Sequence, residues 1–473
     1  MYDEWELVRD GATFNDVRQG RIADCFLIGA FGSLAANRRT FFRQAFVAYD
    51  MKIGVYGILM NVDSHFTYVI VDDVLGKGSG ARLQFASSTD SKELWVSILE
   101  KAFFKYHTCL EMCSYGHGTE ATFCWTGGLS GRYDIGDEEY DHPDTFFKTL
   151  QQALASGELA TAMFREPSKG PYAQGPGGEA GQCGEVGLPY GLHGGHCYSL
   201  LRTVEAHGNQ LLCFRNPWAA GEWTGPWGDK SDKWTDEMKE ACGLVSKTDG
   251  VFWMAVQDFV QLSKLVPFVR TFGPAWQTVR VYGRFIDEPT KARAKKDYQA
   301  QSDTEITLQK GDMVRVSEVQ GFWSRGEREK TGEEGFFRTK DVQMQSLSVE
   351  AYEFSVDGMA DDAPIMLSLM RENQLLRREW VKRKEDGMNY KDQKYPPGYW
   401  FIFNGEGKRV AKSRILSRHV WTYLTKSEGP WSVYINCPGA KGRRFSLQGF
   451  APHGSMKIKS MECSYADFLD KCA

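Results

Sequence analysis

The sequence predicts an α+β chain of several domains, with helices concentrated early and strands dominating later. Three observations carry that expectation. Residues 25–36 (CFLIGAFGSLAA) are an unbroken apolar run rich in helix formers, as in a buried helix. From Gly195 onward the pattern turns to β: HCYSLLRTVE and LLCFRNPW flank the turn residues His207, Gly208 and Asn209. Over 350–463, β-type runs (YEFSV, PIMLSLM, YWFIFN, WSVYIN, RRFSLQGF) alternate with Gly/Pro turns, the spacing of a β-sandwich. At roughly 100–200 residues per domain, the chain's 473 residues suggest about three or four domains.

Between these anchors the elements follow in order. FTYVIVDDVLG and ARLQFA read as a strand pair. Ser91 to Tyr106 reads as a helix with Leu94, Ile98, Leu99, Ala102, Phe103 and Tyr106 on one face, opened by an Asp90/Glu93 capping box. Thr126-Gly127-Gly128 is a hinge candidate. Asp144 to Ser156 forms another helix, with Phe146, Phe147, Leu150 and Leu154 inward and Gly157 as its stop. The Gly/Pro-rich stretch 169–191 is either a functional lid or a disordered insert. Residues 289–344 are charged and short-stranded. The domain boundaries expected are 1–128, 129–270, 289–344 and 350–463.

Composition excludes several classes. With 57 basic against 61 acidic side chains, the net charge of −4 gives no electrostatic case for a nucleic-acid binder. No apolar run approaches the ~20 residues that span a bilayer. The start, MYDEWELVRDGATF, is acidic and lacks a secretory apolar region. Eleven cysteines, an odd number without CxxC or zinc-ligand spacing, point to a reducing, cytoplasmic compartment.

The chemistry concentrates in GATFNDVRQGRIADCF, which puts Gln19 six residues before Cys25 at a helix start. A thiol there feels the positive end of the helix dipole, which favours thiolate. A Gln amide and the Cys backbone N–H can together hold an oxyanion. A nucleophilic thiol also needs a base and a group that orients it. His196 opens one strand and Asn216 ends the next. A hairpin turning near residue 206 sets them side by side, with the Asn carbonyl holding one ring nitrogen and the other left for sulfur. Taken singly, each is an ordinary core or turn residue, and a buried Cys at a helix start is more often packing. The joint arrangement carries the argument.

QGRIADCFLIGAFGSLA resembles the calpain signature around the catalytic cysteine. WVSILEKAFFK, the TGG hinge, GGHCYSLL, FRNPWAAGEWTGPWGD and DGVFWMAVQDF follow in family order, so the resemblance covers roughly residues 1–270. It implies a papain-like core in two lobes, with Cys25 on one and His196 and Asn216 on the other. Gln19 would be the oxyanion donor, and Trp218 would sit beside the dyad in the substrate cleft. It also implies Ca²⁺ in each lobe. The first set is Asp16 and Glu120 with main-chain oxygens of Arg9 and Gly11; the second is Glu222, Asp229 and Asp249 with the carbonyl of Lys247. Oxygen-only ligands suit Ca²⁺. The alternative is that these acids form a solvated surface.

The chain departs from the family pattern. Ala23 stands where the family has Gly, Phe26 where it has Trp, and Val251 where a calcium-ligating carboxylate is expected. The chain starts close to the first catalytic motif. No EF-hand loop occurs, so no EF-hand small subunit is expected.

AKKDYQAQSDTEITLQKGDMVRV, GFWSRGE and GEEGFFRTKDVQ are similar to a Src-homology-3 domain, a small β-barrel that binds Pro-rich helices on an aromatic groove. Tyr298 and an aromatic at Phe322 or Trp323 remain of that groove, and Asp303 and Glu305 form its acidic loop. Lys296, Arg338 and Asp341 replace an expected tyrosine, proline and tyrosine. A structural or altered-specificity barrel is therefore expected. Residues 350–463 resemble the sandwich that follows the calpain core. Its Arg371 to Lys394 segment, with eight basic and five acidic residues, is either a solvated loop or a weak contact for anionic lipid.

The expected activity is a calcium-regulated cysteine endopeptidase making limited cuts in protein substrates bound as extended segments, through an acyl-thioester. A catalytically weak scaffold of the same fold is the rival reading. A transglutaminase-like transferase is a third, disfavoured because that chemistry ordinarily orients its histidine with Asp.

Overall fold

The computed structural model describes residues 5–37, 41–78, 83–107, 113–114, 116–135, 142–165, 181, 185–263, 265–273, 275–285, 290–320, 323–345, 349–371, 398–415, 419–437, 443–461 and 463. They fall into two compact units, Met1–Phe272 and Gly273–Ala473. Among the described residues no helix is long and apolar enough to cross a membrane.

In the first unit the chain is organised around the helix Cys25–Asn37, buried from Cys25 through Ala35. Having no polar face, it must be enclosed on every side. The helices Trp95–His107 and Gly118–Thr126 pack on it, with Phe31 meeting Trp95 at 6.2 Å and Trp125 at 5.6 Å between ring centroids. The strand Cys197–Ala206 packs on it as well. Glycine makes that approach close. A Cβ on Gly29 would stand 3.2 Å from the Cys197 carbonyl oxygen, and one on Gly32 would stand 2.3 Å from Ser199 Oγ. Two hydroxyls fasten the contact: Ser199 Oγ donates to the Gly29 carbonyl and Ser33 Oγ to that of Ala160, both at 2.7 Å.

Strand Cys197–Ala206 lies inside a six-stranded antiparallel sheet ordered 251–255, 209–215, 197–206, 158–163, 265–270, 129–134. The helix Pro143–Ala155 packs on this sheet through Phe146, Phe147 and Leu150 and is followed by Gly157 at φ 91°. The hinge residue Gly127, at φ 64°, ends the helix Gly118–Thr126 in the left-handed conformation that glycine adopts without a Cβ clash.

Two local expectations differ from the structure. FTYVIVD does pair, but with Val55–Val62, through a tight turn in which Asp63 and Ser64 take φ of 48° and 68°. Two successive positive-φ residues match the hairpin turn whose twist suits strands, and here Asp-Ser does what Asp-Gly commonly does. Among the described residues, the segment 75–86 after it contributes the isolated bridge Lys77–Leu83. The second difference is a helix start. That helix begins at Trp95, and no capping box forms, because Glu93 is held elsewhere: it accepts from Arg9 N at 2.8 Å and Ser88 Oγ at 2.6 Å.

The second unit holds a five-stranded sheet ordered 334–338, 323–328, 313–320, 290–294, 342–345, closed around Ala292, Ile306, Leu308, Val314 and Phe337. It also holds a four- and a five-stranded sheet that share one core, with Phe354, Ile365, Leu367, Trp400, Trp431 and Leu447. The four-stranded sheet begins earlier than residue 350: Gln277–Arg284 pairs along its whole length with Arg444–Ala451. The small barrel is thus inserted between the first and second strands of the sandwich. Val279 and Val281 alternating with Arg280 and Tyr282 are the period-two signal that marks this strand. Of the basic segment 371–394 all but Arg371 lies outside the described residues, as do 169–180 and 182–184 of the Gly/Pro-rich stretch.

The helix–strand contact yields a stability prediction. Gly32→Ala should cost about 1–3 kcal/mol by overpacking against Ser199. Adding Ser199→Ala should recover part of it, read as the urea midpoint of the single and double variants.

Candidate active site

Cys25 opens the central helix. The Asp24 carbonyl begins the hydrogen-bond ladder, accepting from Leu27 N at 2.9 Å and Ile28 N at 3.1 Å. The Asp24 carboxyl is fully buried beside Glu100, and burial pushes both acids up, so the pair holds a proton. Burial, reinforced by the neighbouring Cys197, also pushes the Cys25 thiol well above its ordinary value. The helix dipole opposes this, but it contributes about 0.3–1 kcal/mol, under one pKa unit. Desolvation is the larger effect, so this arrangement disfavours the thiolate.

The hairpin Cys197–Ala206/Asn209–Arg215 pairs Ser199 with Arg215, so His196 and Asn216 continue from neighbouring strand ends. His196 Nε2 lies 2.9 Å from Asn216 Oδ1. The amide orientation follows from its other partners: Asn216 Nδ2 donates to the Gly221 carbonyl at 2.9 Å, and Trp218 N donates to Oδ1 at 3.1 Å. Oδ1 is therefore an acceptor, Nε2 carries the hydrogen, and Nδ1 keeps its lone pair. Nδ1 has no hydrogen-bond partner, so the sulfur of Cys25 is not bonded to it here. Burial pushes the imidazole down to about 4, and the Asn216 bond partly opposes that. The Trp218 ring lies against His196, with centroids 4.3 Å apart, and against His193 at 4.6 Å.

Gln19 is joined to the same loop by its backbone, Gln19 N donating to the Pro217 carbonyl at 2.8 Å. Its side-chain Nε2 donates to the Ile22 carbonyl at 2.7 Å. One of the two amide hydrogens is thus engaged locally. Phe26 fills the core edge-on to Phe103, at 6.1 Å between centroids. One group at this site was missed by sequence reasoning. Glu185 is 4% exposed, and its Oε1 stands 3.8 Å from His196 Nδ1. It lies within a Gly/Pro-rich stretch where neither periodicity nor spacing marks a single acid.

The two calcium-ligand sets differ in how far they are gathered. In the second, Glu222 Oε1 accepts from Asp249 N at 2.9 Å and Gly250 N at 2.8 Å, Asp229 Oδ2 accepts from Lys247 N at 3.1 Å, and Asp249 Oδ1 accepts from Val251 N at 3.0 Å. Burial first, then mutual repulsion, raises Glu222 and Asp229, with Asp249 a charge on both. Three carboxylates sharing one field and each bracing the 247–251 turn suit a hard cation chemically. The Lys247 carbonyl meanwhile accepts from Asp249 N at 3.0 Å. In the first set, Thr13 holds both oxygens of Asp16, through its N at 2.6 Å and its Oγ1 at 2.9 Å. Glu120 sits in the first turn of Gly118–Thr126. Asp10 and Gly11 both turn at positive φ. The acid that this loop meets is the buried Glu93, which takes the Arg9 amide and is raised by burial and by the charge of Asp16. Among the described residues no three acidic, His or Cys side chains converge tightly enough to grip an ion. Carboxylate and carbonyl oxygens are donors that fit calcium chemically.

Between the two sets lies Arg215, 1% exposed, whose Nη2 donates to the Asn15 carbonyl at 3.1 Å while Nε and Nη1 have no hydrogen-bond partner. The charges of Asp249 and Asp16 both act on it.

A thiol at the head of a buried helix, with an imidazole held by an asparagine on the strand packed against it, is the arrangement of a cysteine protease. The family model for calpain family cysteine proteases matches residues 1–268, and this chain belongs to that family. It is 33% identical over 262 residues to the calpain-type cysteine protease ADL1 of rice (Oryza sativa subsp. japonica), a match covering 55% of this chain and 12% of the relative. It is 31% identical over 283 residues to rat (Rattus norvegicus) calpain-9, covering 55% and 38%. Calpain-A of Drosophila melanogaster is 31% identical over 271 residues, covering 53% and 30%. The chain therefore spans well under half the length of these relatives. The SH3 domain model matches residues 293–337. The yeast Abp1 SH3 structure is 35% identical, covering 11% of this chain and 93% of that one at a TM-score of 0.11.

The imidazole's environment makes a pH prediction. Its folded pKa of about 4 lies below the unfolded value, so the unfolded chain binds more protons between roughly pH 6.5 and 4. Stability of the first unit should therefore fall as pH drops through that window. Asn216→Ala removes the contact that raises His196, and its imidazole should titrate still lower by ¹⁵N NMR.

Proposed function

We propose that the chain is a calcium-regulated cysteine endopeptidase built on a papain-like core of two lobes. One observation carries this reading: Asn216 holds His196 by Nε2, leaving Nδ1 as the base nitrogen on a strand packed against the Cys25 helix. In the reaction, Nδ1 takes the thiol proton and the Cys25 sulfur attacks a peptide carbonyl of an extended segment lying over Trp218. The Cys25 N–H and the Gln19 amide, once turned from Ile22, receive the oxyanion. One such donor is worth about 2.7–4 kcal/mol. The imidazolium then returns its proton to the leaving amine, and water releases the acyl group from sulfur. An extended substrate implies cuts at exposed, flexible segments of proteins.

Bound Ca²⁺ would supply positive charge to draw each acidic set together. Asp16, Glu93 and Glu120 with the Arg9 and Gly11 carbonyls would hold one ion; Glu222, Asp229, Asp249 and the Lys247 carbonyl would hold the other. The neutral thiol, the free Nδ1 and the engaged Gln19 amide describe a resting arrangement that needs such a trigger. Misplacement of about 1 Å can cost about 100-fold in rate. The same three features favour the second reading, a scaffold that never assembles the site. Cytoplasmic residence, extended protein segments as the partners, and a weak lipid contact through the sandwich belong to the same proposal.

The barrel is proposed to be closed to Pro-rich ligands by its own Arg338. That guanidinium stands over the Tyr298 ring at 5.8 Å and the Trp323 ring at 6.0 Å, while the Tyr298 hydroxyl donates to Glu305 and Lys296 pairs with Asp341 at 3.1 Å. Phe322 lies outside the described residues.

Casein cleavage tests the enzyme reading. Cleavage is expected with millimolar Ca²⁺, with loss in chelator and in Cys25→Ala; equal cleavage in chelator removes the calcium claim, and none under any condition favours the scaffold. Val251→Glu should restore an anion to the second set and tighten Ca²⁺ binding severalfold by calorimetry. Arg338→Ala should let a Pro-rich peptide perturb Trp323 fluorescence where the parent protein shows no response.

A further inference from the structure

The nitrogen that should receive the Cys25 proton is faced by another acid. Glu185 Oε1 is 3.8 Å from His196 Nδ1, and both side chains are all but excluded from solvent, at 4% and 0% exposure. We propose that Glu185 is a positioning residue that competes with the Cys25 thiolate for the His196 imidazolium once Nδ1 is protonated. The inference rests on the cysteine-peptidase reading above.

The argument is electrostatic and geometric. Asn216 fixes Nε2 as the protonated nitrogen, so any further proton goes to Nδ1. Once formed, that N–H⁺ has two anions available, the thiolate and the Glu185 carboxylate. At 3.8 Å and with little water between them, the carboxylate is a strong partner. Its charge acts with the same sign on both members of the dyad: it raises the imidazole and raises the thiol. Glu185 therefore favours an imidazolium paired with carboxylate and disfavours the thiolate. Pairing of sulfur with Nδ1 requires that the carboxylate move aside or be neutralised. The other titratable groups around the pair are Asp24 before the thiol, Cys197 and Tyr198 on the strand after His196, and His193. Burial raises Cys197 to about 12 and the Tyr198 phenol far above its usual range, so these two are uncharged near neutral pH, while Asp24, coupled to Glu100, puts a charge on the thiol that acts in the same sense as that of Glu185. His193 acts on the imidazole in the opposite sense, lowering it. Glu185 is the anion that faces Nδ1 directly.

The test uses the full chain in chelator and reads the dyad without any peptide substrate. Glu185→Gln keeps the shape and removes the charge. The rate of Cys25 alkylation by iodoacetamide at neutral pH should rise severalfold, because the thiolate fraction grows as the thiol pKa falls, partly offset by lower nucleophilicity. In the same variant, the His196 pKa by ¹⁵N NMR should drop, while Glu185→Asp should keep both near the parent values. A merely structural role would move neither titration in this paired way. Unchanged alkylation and an unchanged His196 titration in Glu185→Gln would overturn the inference while leaving casein cleavage, and hence the peptidase reading, standing. A slower alkylation would also overturn it. Should Glu185→Gln unfold the chain, the same two readouts on Glu185→Ala decide it: alkylation and His196 titration both unchanged from the parent would overturn the competition.

Discussion

The site depends on how closely one apolar helix can lie against one strand. Cys25–Asn37 has no polar face, so it is buried wherever the fold puts it, and Gly29 and Gly32 decide the distance at which it meets Cys197–Ala206. Because Cys25 heads that helix and His196 immediately precedes that strand, the packing distance between them sets the separation of thiol and imidazole. The Ser199–Gly29 and Ser33–Ala160 hydrogen bonds hold the same contact with directional geometry. A core of side chains alone would allow more sliding.

Burial then sets the chemistry of the resting site. The enclosure that positions the thiol and imidazole also removes the water that would stabilise their charged forms. The thiol is pushed up and the imidazole down, so the neutral pair is favoured over thiolate–imidazolium. The same desolvation keeps a proton on the Asp24–Glu100 pair behind the helix. The acidic sets around Asp16 and Asp249 act by charge on one buried cation, Arg215.

The second unit shows how insertion hides a boundary. The strand 277–284 belongs to the sandwich by its pairing with 444–451, although the barrel separates them in sequence. Within the barrel, Arg338 lying over Tyr298 and Trp323 turns a groove of aromatic faces into a cation–π contact within the chain.

Much was legible in the sequence because it is local. The apolar run from Cys25, the amphipathic helix that stops before Gly157, and the turn at His207-Gly208 that brings His196 to Asn216 all follow from side-chain period and turn chemistry. What sequence could not determine is non-local. Glu93 reads as a helix cap, yet it is claimed by the Arg9 amide, 84 residues away in the chain. FTYVIVD reads as a strand, but its partner was set by a two-residue turn without glycine. Gln19 has the right spacing for an oxyanion donor, while its amide direction depends on the Ile22 carbonyl. Glu185 carries no pattern at all; its importance arises only where folding brings its carboxylate to the open nitrogen of His196. Sequence by itself determined which groups the chain owns and which elements carry them. Tertiary structure alone decided which charges face one another, because desolvation and distance exist only after the elements have packed.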